Sequence, residues 1–113
     1  IKKGAKLGYQ GISSHDRRIA TIAGGYGHGL PRTALFKGHA MINGIKCPYL
    51  CKSFMEYSII DISDCDSSIS VGDEVTLIAE SCSPLELASY ADEIPEIFIT
   101  SLAASIERLC VNK

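Results

Sequence analysis

Apolar and polar positions alternate along this chain in short runs, each closed by glycine, proline, asparagine or aspartate. Arg18-Ile19-Ala20-Thr21-Ile22-Ala23 reads as a strand that stops at Gly24-Gly25. His39 to Ile42 and Ile45 to Cys47 flank Asn43-Gly44. That dipeptide is the strongest short-range hairpin signal, because both central residues of the tight turn need positive φ. Ser53 to Ile62 mixes aromatic and β-branched residues with partial alternation and predicts another strand. Val71-Gly72-Asp73 predicts a turn into a strand over Glu74 to Ala79. Helix signals come only near the end. Ser83-Pro84-Leu85-Glu86 has the order of a capping box with proline at the first helical position, which predicts a helix to about Ala91. Pro95 starts a second short helix through Leu102, and a last strand is expected from about Ile106 to Val111. Strands this close, with no long helix between them, predict an all-β fold: a small β-barrel or β-sandwich with one or two short helices near the C-terminus.

Composition narrows the picture. The chain has 113 residues, 46% hydrophobic and 21% charged, which suits one domain over residues 1–113 with a buried core. Eleven basic and thirteen acidic side chains leave a net charge of −2, and no lysine- or arginine-rich stripe marks a nucleic-acid partner. No apolar run approaches the roughly 18–20 residues that span a bilayer, so no membrane contact is expected. Ile1-Lys2-Lys3-Gly4 does not open a signal peptide, and the missing initial methionine reads as the mark of a fragment of something longer. Five cysteines, Cys47, Cys51, Cys65, Cys82 and Cys110, leave at least one unpaired and suit a reduced, cytoplasmic protein. Cys47, Cys51 and the upstream His39 invite a zinc site, but no second close ligand pair completes it. No metal is therefore expected, and buried small cysteines are the better reading.

Two stretches could carry chemistry. Gly24-Gly25-Tyr26-Gly27-His28-Gly29 resembles a phosphate-cradling loop, yet such a loop runs into a helix, and Leu30-Pro31-Arg32 is followed by no helical pattern. Tight turns beside a ligand-facing tyrosine fit these glycines better. Asp61, Asp64, Asp66 and Asp73 lack the ligand alternation of a calcium loop and read as solvated turn residues. Residue types alone thus predict a β domain with tyrosine- and glycine-rich loops and no self-contained active site.

Six segments in register resemble the C-terminal β-domain of the pyridoxal-phosphate (PLP) alanine racemases. They are Gly8-Tyr9, the run Arg18 to Arg32, Ile42-Asn43-Gly44 with Pro48, Phe54-Met55-Glu56, Val71 to Ile78, and Ile94-Pro95 with Thr100-Ser101-Leu102. The resemblance covers nearly the whole chain. It implies a homodimeric racemase of alanine, or secondarily serine, in which an N-terminal barrel absent from this chain carries PLP on a lysine. The β-domain of one subunit then reaches into its partner's active site across an isologous interface.

By this resemblance Tyr9 is the second catalytic base, opposite the barrel lysine. A phenol with a pKa near 10 needs positive charge beside it for that role. Tyr26 and Met55 are implied substrate-binding residues, Met55 through its backbone N–H, and Arg32 and Lys52 implied entrance residues. Glu96 stands where the family has a tyrosine donating to the PLP phosphate. Further departures are His28 and Glu56, each in place of an aspartate, and Ser105 in place of an arginine. Two readings follow: a racemase module, inactive without its barrel, or a dimerisation and binding domain that kept the fold and lost the reaction.

Overall fold

The computed structural model describes residues 1–7, 11–80 and 83–109. Its strands are short and antiparallel. β1 (Lys6–Leu7) pairs with β2 (Gly11–Ile12), with Leu7 opposite Gly11. β3 (Ile19–Ala23) pairs with β6 (Tyr57–Asp61), so that Ala23 faces Tyr57 and Ile19 faces Asp61. β4 (His39–Ile42) and β5 (Ile45–Pro48) form the hairpin that Asn43-Gly44 predicts. Both turn residues take positive φ, 49° and 79°. Single bridges link the ladders. Tyr49 pairs with Ile60, which carries the chain after β5 onto β6, and Thr76 pairs with Met41 on β4. Among the described residues these ladders do not close into a barrel.

Period-two burial explains why these segments are strands. Ala40 and Ile42 point inward on β4, Cys47 on β5, and Ser58 and Ile60 on β6. The apolar ones among them meet Ile22, Leu35 and Leu87 in one core. Fully burying a leucine or isoleucine contributes about 1.5–3 kcal/mol, so this cluster is the main source of stability. Leu87 comes from α2 (Pro84–Ala91), and α3 (Pro95–Thr100) follows it. Ser83 caps α2 by accepting the Glu86 N–H at 3.1 Å. Glu86 does not return the bond. Its carboxylate instead accepts the Tyr90 hydroxyl one turn on, at 2.6 Å.

Four expectations change. A helix, α1, occupies Arg32–Phe36, where no helical pattern was read. Five residues are too few to show periodicity, and α1 is held by burying Ala34 and Leu35. The strand expected over Glu74 to Ala79 reduces to isolated bridge positions at Thr76 and Ala79. No strand begins at Ile106, and the stretch from Cys110 onward lies outside the described residues. The strand sought from Ser53 starts only at Tyr57, because Phe54 N–H donates to the Tyr57 carbonyl at 2.9 Å and turns the chain there.

Asp61 is also not a solvated turn residue. Arg17 Nη1 meets its carboxylate at 2.6 Å, and both side chains are mostly buried. Burial alone would raise the Asp61 pKa, but hydrogen bonds from Ser63 and Arg17 outweigh it and hold the carboxyl below its ordinary value. The pair therefore stabilises the fold fully above about pH 4, and that contribution is lost as pH falls through the depressed folded pKa. Arg17→Met should cost about 1–3 kcal/mol at neutral pH. The deficit should shrink in acid, which denaturant titrations at pH 7 and pH 3 would measure; an equal deficit at both would contradict a charged pair.

A candidate active-site cleft

The glycine run forms one wall of the site by lying directly on the backbone of residues 54–56. Gly24 N–H donates to the Glu56 carbonyl at 3.0 Å, Tyr26 N–H to Phe54 at 3.0 Å and Gly27 N–H to Met55 at 2.7 Å. Only glycine permits this approach at position 25, where a Cβ would stand 2.1 Å from the Phe54 oxygen. The buried Ser58 hydroxyl fastens the same wall from β6, donating to the Gly24 carbonyl at 2.7 Å. Inside the loop, His28 Nδ1 accepts the Gly25 N–H at 3.2 Å, which requires that nitrogen to be unprotonated. The histidine thus folds the 3-10 turn Tyr26–His28 that carries Tyr26. Beyond it, Gly29 at φ 84° packs against the end of α3, and Ser101 Oγ donates to its carbonyl at 3.0 Å.

Residues 51–57 supply the opposite wall. Phe54 and Tyr57 stack with ring centroids 4.6 Å apart. Arg32, the first residue of α1, reaches across and donates from Nε to the Ser53 carbonyl at 3.2 Å. Where the two walls meet, a cleft of about 760 Å³ opens, lined by Tyr26, Arg32, Lys52, Met55, Glu56 and Tyr57 among others. Tyr26 is 44% exposed and Met55 58%. Neither Arg32 nor Lys52 makes an ion pair among the described residues. Met55 spends its carbonyl on Gly27, while its N–H has no hydrogen-bond partner among the described residues. Cys51 lines the cleft from the core side, its thiol pushed up by burial and opposed by the Arg32 charge. What gathers here is an open, amphipathic cleft with two cations, one carboxylate and a spare backbone donor, suited to a small anionic ligand.

Four of the residues singled out from sequence, Tyr26, Arg32, Lys52 and Met55, meet in this cleft although they span thirty positions. Glu96 does not line it; it is exposed in the first turn of α3. Tyr9 lies outside the described residues, between β1 and β2. Sequence reading missed Tyr57 as a lining residue, because only the turn at Phe54 brings its ring there.

A sequence profile of the alanine racemase C-terminal domain matches residues 1–110 of the chain. The chain belongs to the alanine racemase C-terminal domain family. An alanine racemase of Vibrio atlanticus is 32% identical over 108 residues, covering 94% of this chain and 30% of that protein. A crystal structure of alanine racemase from Bartonella henselae with covalently bound pyridoxal phosphate superposes with a TM-score of 0.87 at 31% identity, over 96% of this chain and 31% of that one. The biosynthetic alanine racemase of Pseudomonas aeruginosa gives 0.85 at 26% identity, over 96% of this chain and 31% of that one. This alanine racemase C-terminal domain thus spans about 30% of the length of the curated relatives it matches. Its mostly stranded fold with few short helices is the fold of those structures. No described helix is long and apolar enough to cross a membrane.

Proposed function

We propose that this domain forms the mouth of the active site in a cytoplasmic, PLP-dependent racemase of alanine, with serine as the second candidate substrate. In this reading the domain is inactive alone and acts in a homodimer, on the active site of the partner subunit. The observation that carries the reading is the convergence of Tyr26, Arg32, Lys52 and Met55 on one cleft. Arg32 and Lys52 attract the substrate carboxylate and steer it inward. The spare N–H of Met55 is a donor for that carboxylate, and Tyr26 narrows the way in. Tyr9 takes up or returns the α-proton at its phenolic oxygen, with cations of the barrel domain lowering its pKa.

The chain's own residues fit the amino acid and not the cofactor. Glu96, at the position implied for a phosphate donor, is a carboxylate that repels a phosphate dianion. PLP, the electron sink of the reaction, is therefore assigned wholly to the N-terminal barrel. Arg32→Ala and Lys52→Ala in the full-length protein should each raise the KM for alanine by about 3- to 30-fold and change kcat less, since they act on substrate capture. Unchanged KM in both would remove the cleft from the substrate's path.

Glu96 is also the observation that favours the second reading, a domain that kept the fold and lost the reaction. If the side chain still meets the phosphate, Glu96→Tyr relieves repulsion and restores a donor. PLP should then bind about 10- to 100-fold tighter, as 1–3 kcal/mol implies. Titration of PLP into both full-length forms, followed by absorbance, measures this. Tighter binding without racemisation would support the second reading.

A further inference from the structure

We propose that Cys47 and Cys65 are a buried dithiol that a peroxide closes into a disulfide, tying the β4–β5 hairpin to the turn after β6. Their Sγ atoms stand 3.5 Å apart, and both residues are buried in the core. Cys47 is placed by strand alternation: it points inward between the exposed Lys46 and Pro48 of β5. Cys65 is placed by a turn in which its N–H donates to the Ile62 carbonyl at 3.0 Å. Arg18 clamps that turn from outside, donating to the Cys65 carbonyl at 3.0 Å and to the Asp66 carbonyl at 2.8 Å. Cys51, the other described cysteine, is buried instead beside the cleft.

A disulfide needs its sulfurs about 2.05 Å apart, so the pair must close by roughly 1.5 Å. A side-chain rotation at Cys65 can supply that, because a turn yields more readily than a paired strand. Burial and the neighbouring thiol push Cys47 up to about 12, so it rests as a thiol. Cys65, at the less enclosed edge, is then the first to react. Its sulfur attacks hydrogen peroxide; the S–O bond forms, the O–O bond breaks, and the departing hydroxide takes up the thiol proton as water. The Cys47 sulfur next attacks the sulfenic sulfur, forming S–S and breaking S–O. The Cys47 proton leaves with the second water. Two thiols have lost two electrons and two protons to one peroxide.

The shielded thiols make this a slow lock and not a fast sensor, since reaction waits on local opening. Once closed, the cross-link anchors β5 four residues before the cleft wall begins at Cys51. The inference stands apart from the racemase reading. To test it, the full-length protein is treated with hydrogen peroxide, alkylated under denaturing conditions and mapped by peptide mass spectrometry. A Cys47–Cys65 cross-linked peptide, lighter by two hydrogens and lost on reduction, is expected to dominate over every pair that includes Cys51. Amide exchange across β5 should slow at least about tenfold on oxidation and recover with dithiothreitol. Cys65→Ala should abolish both effects, and Cys51→Ala should leave both in place. Separate alkylation of Cys47 and Cys65 after prolonged oxidation would overturn the proposal, as would cross-links scattered among all the cysteines.

Discussion

Replacing Tyr9 with phenylalanine in the full-length protein is expected to slow racemisation by more than about 100-fold, the scale of a lost general base. Phenylalanine keeps the ring and removes only the oxygen that holds the proton, so folding and PLP absorbance should be unchanged. The loss should be asymmetric. A racemase with one base on each face of the substrate loses α-proton exchange from one enantiomer more than from the other. Solvent deuterium exchange measured separately from L- and D-alanine separates this from a general loss of activity. Equal rates in the variant and the parent protein would make Tyr9 an anchor of its loop and nothing more.

The second large effect is structural. Gly25→Ala should destabilise the protein by at least about 3 kcal/mol and abolish whatever activity the cleft supports. The added methyl would stand 2.1 Å from the Phe54 oxygen and 2.6 Å from the Met55 oxygen. Both are backbone atoms, which no rotamer change can move aside. Relief requires the two walls to part, giving up the hydrogen bonds from Gly24, Tyr26 and Gly27. The φ of Gly25 is an ordinary extended −154°, so the cost comes from close approach and not from backbone strain. Gly11→Ala is the control, since nothing among the described residues lies within 4 Å of where its Cβ would stand, and it should change stability by less than about 1 kcal/mol. Denaturant midpoints of the two variants give the comparison; a Gly25→Ala midpoint equal to that of Gly11→Ala would mean the walls are not in contact.

Some of this molecule was legible in the order of its residues. Asn43-Gly44 specified its hairpin because so few dipeptides accept two positive φ values in succession. Ser83-Pro84 specified the start of α2 because the cap and the proline act within one helical turn. The strands Ile19–Ala23 and His39–Ile42 followed from β-branched and alternating side chains. Membership in the alanine racemase C-terminal domain family was readable too, through six short segments in register.

Other features depended on distant parts of the chain. α1 is too short to announce itself and exists because Ala34 and Leu35 fill the core. The run Glu74 to Ala79 has strand-forming residues, but a ladder needs a partner along its length, and the run makes only isolated bridges, at Thr76 to β4 and at Ala79, among the described residues. Asp61 looked like a turn residue because nothing nearby in sequence shows Arg17 reaching it across forty-four positions. The glycines of residues 24–29 were read as turn formers, and Gly29 does take positive φ. For Gly25 the reason is tertiary: the backbone of residues 54–56 occupies the space a side chain would need. The sequence by itself determined where φ, caps and alternation act, since those are properties of neighbouring residues. Only the tertiary structure decided that Tyr26, Arg32, Lys52 and Met55 share one cleft and that Cys47 faces Cys65, because close packing of segments far apart in the chain sets both.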